Sequence, residues 1–282
     1  MSGDPGDLVG RTFLVTGGNT GIGRATATKL AGRGGRVYVA CRSEEKGRVA
    51  VTDIAAATGN DGVTFLPLDL ADLASVRHCA ETFLALGEPL HVLINNAGVG
   101  GRRGLTKDGF ELAFGVNHLG HFALTTALLD HLAASGPARV VNVASGSHYQ
   151  AKGIDFDAVR QPTRSVTGQP EYAVSKLCNV LFTEELARRL EGTGVTAYAL
   201  HPGVVASDIW RRVPWPIRPL IKLRMISTEE GARTPVYCAT SPEVAKVSGR
   251  FYDDCRERQP SRVATPELAR QLWERSQSWV AA

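Results

Sequence analysis

Tyr172 and Lys176 stand four positions apart in the stretch PEYAVSKLCNV. On an α-helix residues so spaced share a face one turn apart, and Asn179 extends the same stripe. The pairing has a chemical meaning. A free phenol titrates at about 10 and stays protonated at neutral pH, and a neighbouring ammonium favours the phenolate and lowers that value. A tyrosine tuned in this way serves as a general acid or base. The spacing alone is weak, because an amphipathic helix produces Tyr-x3-Lys by chance. Its weight depends on what other residues the chain brings to the same place. Ser145, 172 − 145 = 27 residues upstream, ends the apolar run ARVVNVAS, and NNAG at 95–98 ends another such run.

A second group of residues points to a nucleotide. TGGNTGIG at 16–23 lies where an apolar run gives way to a helical pattern. Gly17, Gly21 and Gly23 let a backbone approach a pyrophosphate closely, and the helix that follows offers free amide donors and the positive end of its dipole. The spacing is Gly-x3-Gly-x-Gly, and the strand–turn–helix context separates it from a plain tight turn. The next strand, VYVACR, carries Cys41 where a ribose-binding acid is expected, followed by Arg42. A guanidinium at that point pairs with a 2′-phosphate, and Lys46 adds to it, so the combination favours NADP(H) over NAD(H).

These residues need a scaffold that gathers them at one edge. Apolar runs at 11–17, 36–42, 63–70, 90–98, 138–145 and 194–203 alternate with helical patterns at 21–34, 44–57, 72–86, 108–134 and 172–191. Strand–helix alternation with continuously apolar strands predicts an α/β fold, a doubly wound parallel sheet covered by helices on both faces in three layers. No linker divides the 282 residues, so one domain over 1–282 is expected. Two stretches break the rhythm, 146–170 and 207–227. The second follows the last apolar run and holds Trp210, Trp215, Ile217, Leu220 and Ile221 among Pro214, Pro216 and Pro219. It reads as a stiff apolar lid over a substrate pocket at the strand ends, with Trp210 and Trp215 on the substrate. Its arginines and lysine suit peripheral contact with an anionic membrane.

Taken together, the turn 16–23, Asp69-Leu70, Asn95-Asn96-Ala97-Gly98, Asn117, Ser145, Tyr172, Lys176 and Pro202-Gly203 resemble the short-chain dehydrogenase/reductase family, in order, over about residues 8–255. VYVACR, FELAFGVNHLGHFALT, SKLCNVLFTEELARRL and GTGVTAYALHPGVV resemble its retinol dehydrogenase-like branch. The resemblance implies a Rossmann-type fold and hydride exchange between a nicotinamide and a hydrophobic aldehyde, ketone or alcohol. It implies that Tyr172 exchanges the proton, Ser145 hydrogen-bonds the substrate oxygen, Lys176 holds the ribose and tunes Tyr172, and Asn117 anchors a relay water. It carries cofactor contact to Gly17, Asn19, Thr20, Gly21, Ile22 and Gly23. It extends that contact to Asp69 at the adenine, to Leu70, to Asn95, Ala97 and Gly98 beside the ribose, and to Pro202, Gly203 and Val205. A homodimer through the helices near 108–134 and 172–191 is compatible with the family, and the exposed faces leave it open. Light-dependent protochlorophyllide reductases share FGVNHLGHF-like and SKLCN-like text and rival the branch for substrate. A non-catalytic nucleotide-binding sensor is the other alternative, although such derivatives tend to lose the tyrosine or the lysine.

Other classes are poorly supported. Net charge is +4 with pI about 8.9, and no basic cluster sits among aromatic platforms, so a nucleic-acid partner is not expected. No run of about 18 apolar residues suggests a membrane span. MSGDPGDLVG lacks the features of a secretory signal, and five scattered cysteines suit a reducing compartment, so a cytoplasmic location is expected. His118 and His121 are three apart but lack a convincing third ligand, and no metal is expected. His201 reads as packing beside the cofactor, and Cys178 as a small buried hydrophobe.

Overall fold

Strand β1 (Thr12–Thr16) is buried along its whole length, as a central strand covered on both faces must be. A computed structural model describes residues 6–204 and 226–281. Around β1 the chain lays down α1 (Gly21–Ala31), β2 (Arg36–Cys41), α2 (Glu44–Thr58), β3 (Val63–Pro67), α3 (Leu73–Ala85) and β4 (Val92–Asn95). There follow α4 (Leu112–Phe114), a π-helical turn (Gly115–Leu119), α5 (Gly120–Ala127), α6 (Leu129–Ala134) and β5 (Ala138–Val143). Then come α7 (Gln169–Arg189), β6 (Val195–His201), α8 (Thr228–Gly231), α9 (Arg233–Thr240), β7 (Arg250–Asp253), β8 (Arg256–Arg258) and α10 (Pro266–Ala281).

The strands form one eight-stranded sheet in the order β3-β2-β1-β4-β5-β6-β7-β8, parallel except for β8. The expected α/β doubly wound sheet is therefore present. The order reverses between β1 and β4, which opens a crevice at the carboxyl ends of these strands. Each face of the sheet carries its own core. Leu14, Leu93 and Val140 pack toward α3, α5, α7 and α10, whereas Val15, Ile94 and Val141 pack toward α1, α2 and α9. This is the period-two alternation of a pleated strand buried on both sides.

Local chemistry explains where the helices begin and end. Ser43 caps α2 by accepting from Lys46 N, and Gly59 ends it with φ +68°. Asp72 caps α3 by accepting from Ala74 N and Ser75 N. The helix expected over 108–134 begins later, at Leu112, and is interrupted by the π-helical turn and again at Leu128. Two strands were not legible from periodicity. β7 has four residues, and β8 is the exposed Arg-Glu-Arg, joined to it by Asp254 and Cys255 at φ +48° and +58° in place of the usual Asn-Gly.

Helix α10 lies along α7 and touches α5, so these two helices present α10 on that side. Trp273 packs edge-on to Phe122 at 5.0 Å and under the Arg189 guanidinium at 4.4 Å. Only 6% of the residue is exposed. Trp273→Ala is expected to lower unfolding free energy by about 3–5 kcal/mol in urea titrations, since it removes an aromatic anchor and leaves a cavity. A loss below about 1 kcal/mol would show α10 to be a loosely docked appendage. Among the described residues no helix is long and apolar enough to cross a membrane.

Candidate active site

The carboxyl ends of β1, β2, β4, β5 and β6 line one cleft of about 1020 Å³. Its floor is the turn between β1 and α1. Gly17 and Gly21 have φ +65° and +55°, the left-handed region that glycine tolerates. A methyl group at Gly23 would stand 2.4 Å from Gly17 O and from Asn96 Nδ2, so only glycine allows the helix to start this close to the turn. Thr20 precedes α1 without a side-chain cap, which leaves the first-turn amides facing the cleft. Arg42, just past β2, and Lys46, in the first turn of α2, reach the cleft from exposed positions, and among the described residues neither has an ion-pair partner. Asp69 and Leu70 form the neighbouring wall, with Asp69 Oδ1 accepting from Ala71 N. Glycines without room for a side chain, free helix amides and two cations at one end fit a dinucleotide phosphate.

The other end of the cleft holds Ser145, Tyr172 and Lys176. Ser145 lies two residues past the end of β5, and Tyr172 and Lys176 lie one turn apart on α7, which Gly168 at φ +66° and Pro170 help to start. The stripe read from the sequence is present in space: Lys176 Nζ and Asn179 Nδ2 both donate to Val143 O, at 2.8 and 3.2 Å. The electrostatic expectation for Tyr172 needs correction. Burial pushes its pKa up, and Ser145 beside it pulls only partly the other way. The Lys176 ammonium is directed at the Val143 carbonyl, 5.6 Å from the phenol ring centre, and its own pKa is pushed down to about 8 by burial. Tyr172 thus stays protonated in this state.

Two expected residues lie differently. Asn95 is buried away from the cleft and donates to Thr125 Oγ1 and Asn142 Oδ1. It shares the face of Leu93 on β4, whereas Asn96, beyond the strand, reaches the cleft and donates to Thr16 O at 2.8 Å. Asn117 sits in the π-helical turn with its side chain already committed. Its Oδ1 accepts from Val99 N, and its Nδ2 donates to Val99 O and Ser175 Oγ. It fixes the loop after β4, which brings Ala97 and Gly98 to the cleft.

Thr16 was not singled out by the sequence beyond its place in the turn. Its hydroxyl accepts from Asn96 N and Ala97 N and meets His121 Nε2 at 2.9 Å. Only its position just before Gly17 signals it. His121 bonds the Asn117 carbonyl through Nδ1, while His118 turns the other way to Ser276 Oγ, so the two rings have separate structural duties. His201, Pro202 and Gly203 line the cleft, and Cys178 is fully buried. Val205, Trp210, Trp215 and nearly all of the expected lid at 207–227 lie outside the described residues.

Comparison with known proteins agrees with this geometry. The family model described as short chain dehydrogenase matches residues 11–215. Retinol dehydrogenase 12 of Mus musculus is 47% identical over 274 residues, 94% of this chain and 85% of that protein. Retinol dehydrogenase 13 of Homo sapiens is 44% identical, over 95% of this chain and 84% of that protein. Among solved structures, an uncharacterised protein from Mycobacterium paratuberculosis superposes with TM-score 0.81 at 33% identity, covering 99% of this chain and 96% of that one. An actinorhodin polyketide ketoreductase variant with NADPH gives TM-score 0.66 at 27% identity, covering 86% and 95%.

Proposed function

The chain belongs to the short chain dehydrogenase family and is an oxidoreductase of that family, and from this premise we propose that it is NADP(H)-dependent and interconverts hydrophobic aldehydes or ketones with their alcohols, retinal and retinol among them. The observation that carries the reading is that one cleft joins the glycine turn at one end to Ser145, Tyr172 and Lys176 at the other. When bound, the nicotinamide cofactor supplies or receives the hydride. Gly17, Gly23 and the first amides of α1 hold its pyrophosphate, and Arg42 with Lys46 takes the 2′-phosphate. In the reducing direction Tyr172 donates its phenolic proton to the substrate oxygen, and the Ser145 hydroxyl hydrogen-bonds that oxygen as charge develops on it. Lys176 anchors the ribose and balances the phenolate that the proton transfer leaves. Val99, Leu112 and Val116 add apolar wall, which suits a greasy substrate. The names of the 44–47% identical relatives support a retinoid-like one.

The test is a panel of short, long-chain and polyene aldehydes followed by NADPH absorbance. Long or polyene substrates should give the highest kcat/KM, because apolar burial contributes roughly 25 cal/mol per Å². NADPH should outperform NADH, and Arg42→Ala with Lys46→Ala should narrow the kcat/KM ratio by about 10–100-fold, the order expected for losing charge-assisted phosphate contacts. Equal use of both cofactors by the unmodified protein would exclude the Arg42 assignment. NADPH binding with no turnover on any carbonyl or alcohol would favour a nucleotide sensor.

A further inference from the structure

His148 is fully buried three residues after Ser145. Its backbone N–H and its ring Nδ1 both meet the Ser145 carbonyl, at 3.1 and 2.7 Å. A carbonyl oxygen only accepts, so Nδ1 carries the proton and Nε2 is left as an acceptor. The Ser261 amide donates to that Nε2 at 3.2 Å. Both ring nitrogens are therefore committed, in opposite senses, and the ring is neutral. Burial, with His201 nearby, also holds it below the ordinary histidine range. The ring packs against both Tyr149 at 3.9 Å and Phe251 at 4.7 Å, and the Tyr149 hydroxyl donates to Gln259 O at 2.7 Å. The turn Gly146–Gln150 is thus fastened at two points to the segment that follows β8. That segment lies beyond the 11–215 span matched by the family model.

We propose that His148 is a positioning residue for the reaction: by holding the Ser145 carbonyl it fixes the Ser145 hydroxyl beside Tyr172, and through Ser261 it makes the segment 259–261 part of the catalytic arrangement. The inference rests on the reading that Ser145 binds the substrate oxygen. Apart from Tyr172, the Ser145 hydroxyl has partners only inside its own turn: it accepts from Ser147 N at 3.2 Å and donates to Ser147 Oγ at 3.3 Å, bonds that move with the turn. Without the imidazole, the carbonyl keeps only the longer backbone bond, and the turn is tied to the segment after β8 through Tyr149 alone. A hydroxyl that stabilises developing charge works only when held to a fraction of an ångström.

The two ring bonds can be separated by substitution. In His148→Asn the short amide places an N–H near the Nδ1 position and restores the Ser145 bond alone. In His148→Gln the longer amide places an oxygen near Nε2 and restores the Ser261 bond alone. His148→Ala removes both. The readouts are kcat and KM for a long-chain aldehyde, NADPH affinity by fluorescence, and Tm. His148→Ala should lower kcat by about 10–100-fold, the scale of an ångström-sized misplacement, with NADPH affinity held within about threefold because the ring does not line the cleft. His148→Asn should recover most of kcat, while His148→Gln should turn over as poorly as the alanine variant at a Tm similar to that of His148→Asn. If kcat simply follows Tm across the series, or if His148→Gln is as active as His148→Asn, the positioning role is excluded. Should His148→Ala fail to fold, the comparison of Asn with Gln still decides. Ser145→Ala is run in parallel: an active Ser145→Ala removes the underlying reading and the proposal with it, whereas an inactive one beside a fully active His148→Ala overturns the proposal alone.

Discussion

Tyr172→Phe is expected to lower kcat by about 10²–10⁴-fold, the range a positioned general acid contributes, while NADPH affinity changes by less than about threefold. The substitution removes one oxygen from a 9% exposed side chain and keeps the ring that packs beside Lys176. Its destabilising effect should be small, because Tyr172 lines the cleft. The direction of the phenol's shift adds a pH signature. With burial holding its pKa up, Tyr172 is protonated through the neutral range. Carbonyl reduction, which consumes that proton, should be flat near neutrality and fall only on the alkaline side. Alcohol oxidation, which needs the phenolate, should rise with pH over the same interval. Opposite slopes in the two directions, both abolished in Tyr172→Phe, are the expected result. Substantial reductase activity in the variant would mean that another group, or water, delivers the proton.

How far the sequence discloses this site depends on the kind of signal each residue leaves. Residues a few positions past the strand ends are legible, because a parallel sheet brings every carboxyl end to one edge. Ser145, Asp69 and Gly98 reach the cleft for that reason. The Tyr172–Lys176 stripe follows from helix geometry alone. Failures come where a side chain's direction depends on the last residue of an element. Asn95 and Asn96 are identical in type and adjacent, yet one ends β4 facing the α5–α7 layer and the other leaves the strand toward the cofactor turn. The pleat, counted from Leu93, would have separated them. Asn117 presents a different difficulty. A π-helical turn changes which face a residue occupies, and hydrophobic periodicity at 3.6 does not announce it. The sign of the Tyr172 shift was unreadable for a third reason. It depends on whether the lysine points at the phenol or at the Val143 carbonyl, and on how much water the fold removes, neither of which spacing contains. The C-terminal contributions of Ser261 and Trp273 rest on contacts more than 80 residues away in sequence from His148 and Phe182, to which local patterning is blind.

Lys176→Met is expected to cost at least about a hundredfold in turnover, since the ribose anchor and the charge beside the phenolate both disappear, and yet to make the cofactor-free protein more stable at pH 7. Lys176 is 3% exposed, and among the described residues its ammonium has one close protein acceptor, Val143 O. Burial pushes its pKa down to about 8. An unfolded lysine titrates at about 10.4, so between these values the unfolded chain binds more protons than the folded one, and stability rises with pH through that interval. Below about pH 8 both states are protonated, and the folded state bears the full desolvation penalty, roughly 3 kcal/mol for a shift of this size. Methionine fills the space of the aliphatic stem without a charge. The substitution also gives up the hydrogen bond to Val143 O, a loss of about 1–2 kcal/mol, although that oxygen keeps the Asn179 amide. The net gain at pH 7 is therefore about 1–2 kcal/mol, shrinking toward zero or reversing as pH approaches 10.5. Urea unfolding of wild type and variant at pH 7, 8.5 and 10, with cofactor absent, measures it, and the difference between the two proteins cancels every other titrating group. A variant less stable than wild type at pH 7, or a difference that does not change with pH, would mean that the ammonium is better solvated than its burial implies. If the expected sign holds, the lysine is retained against the stability of its own fold, which is what a group kept for turnover should look like.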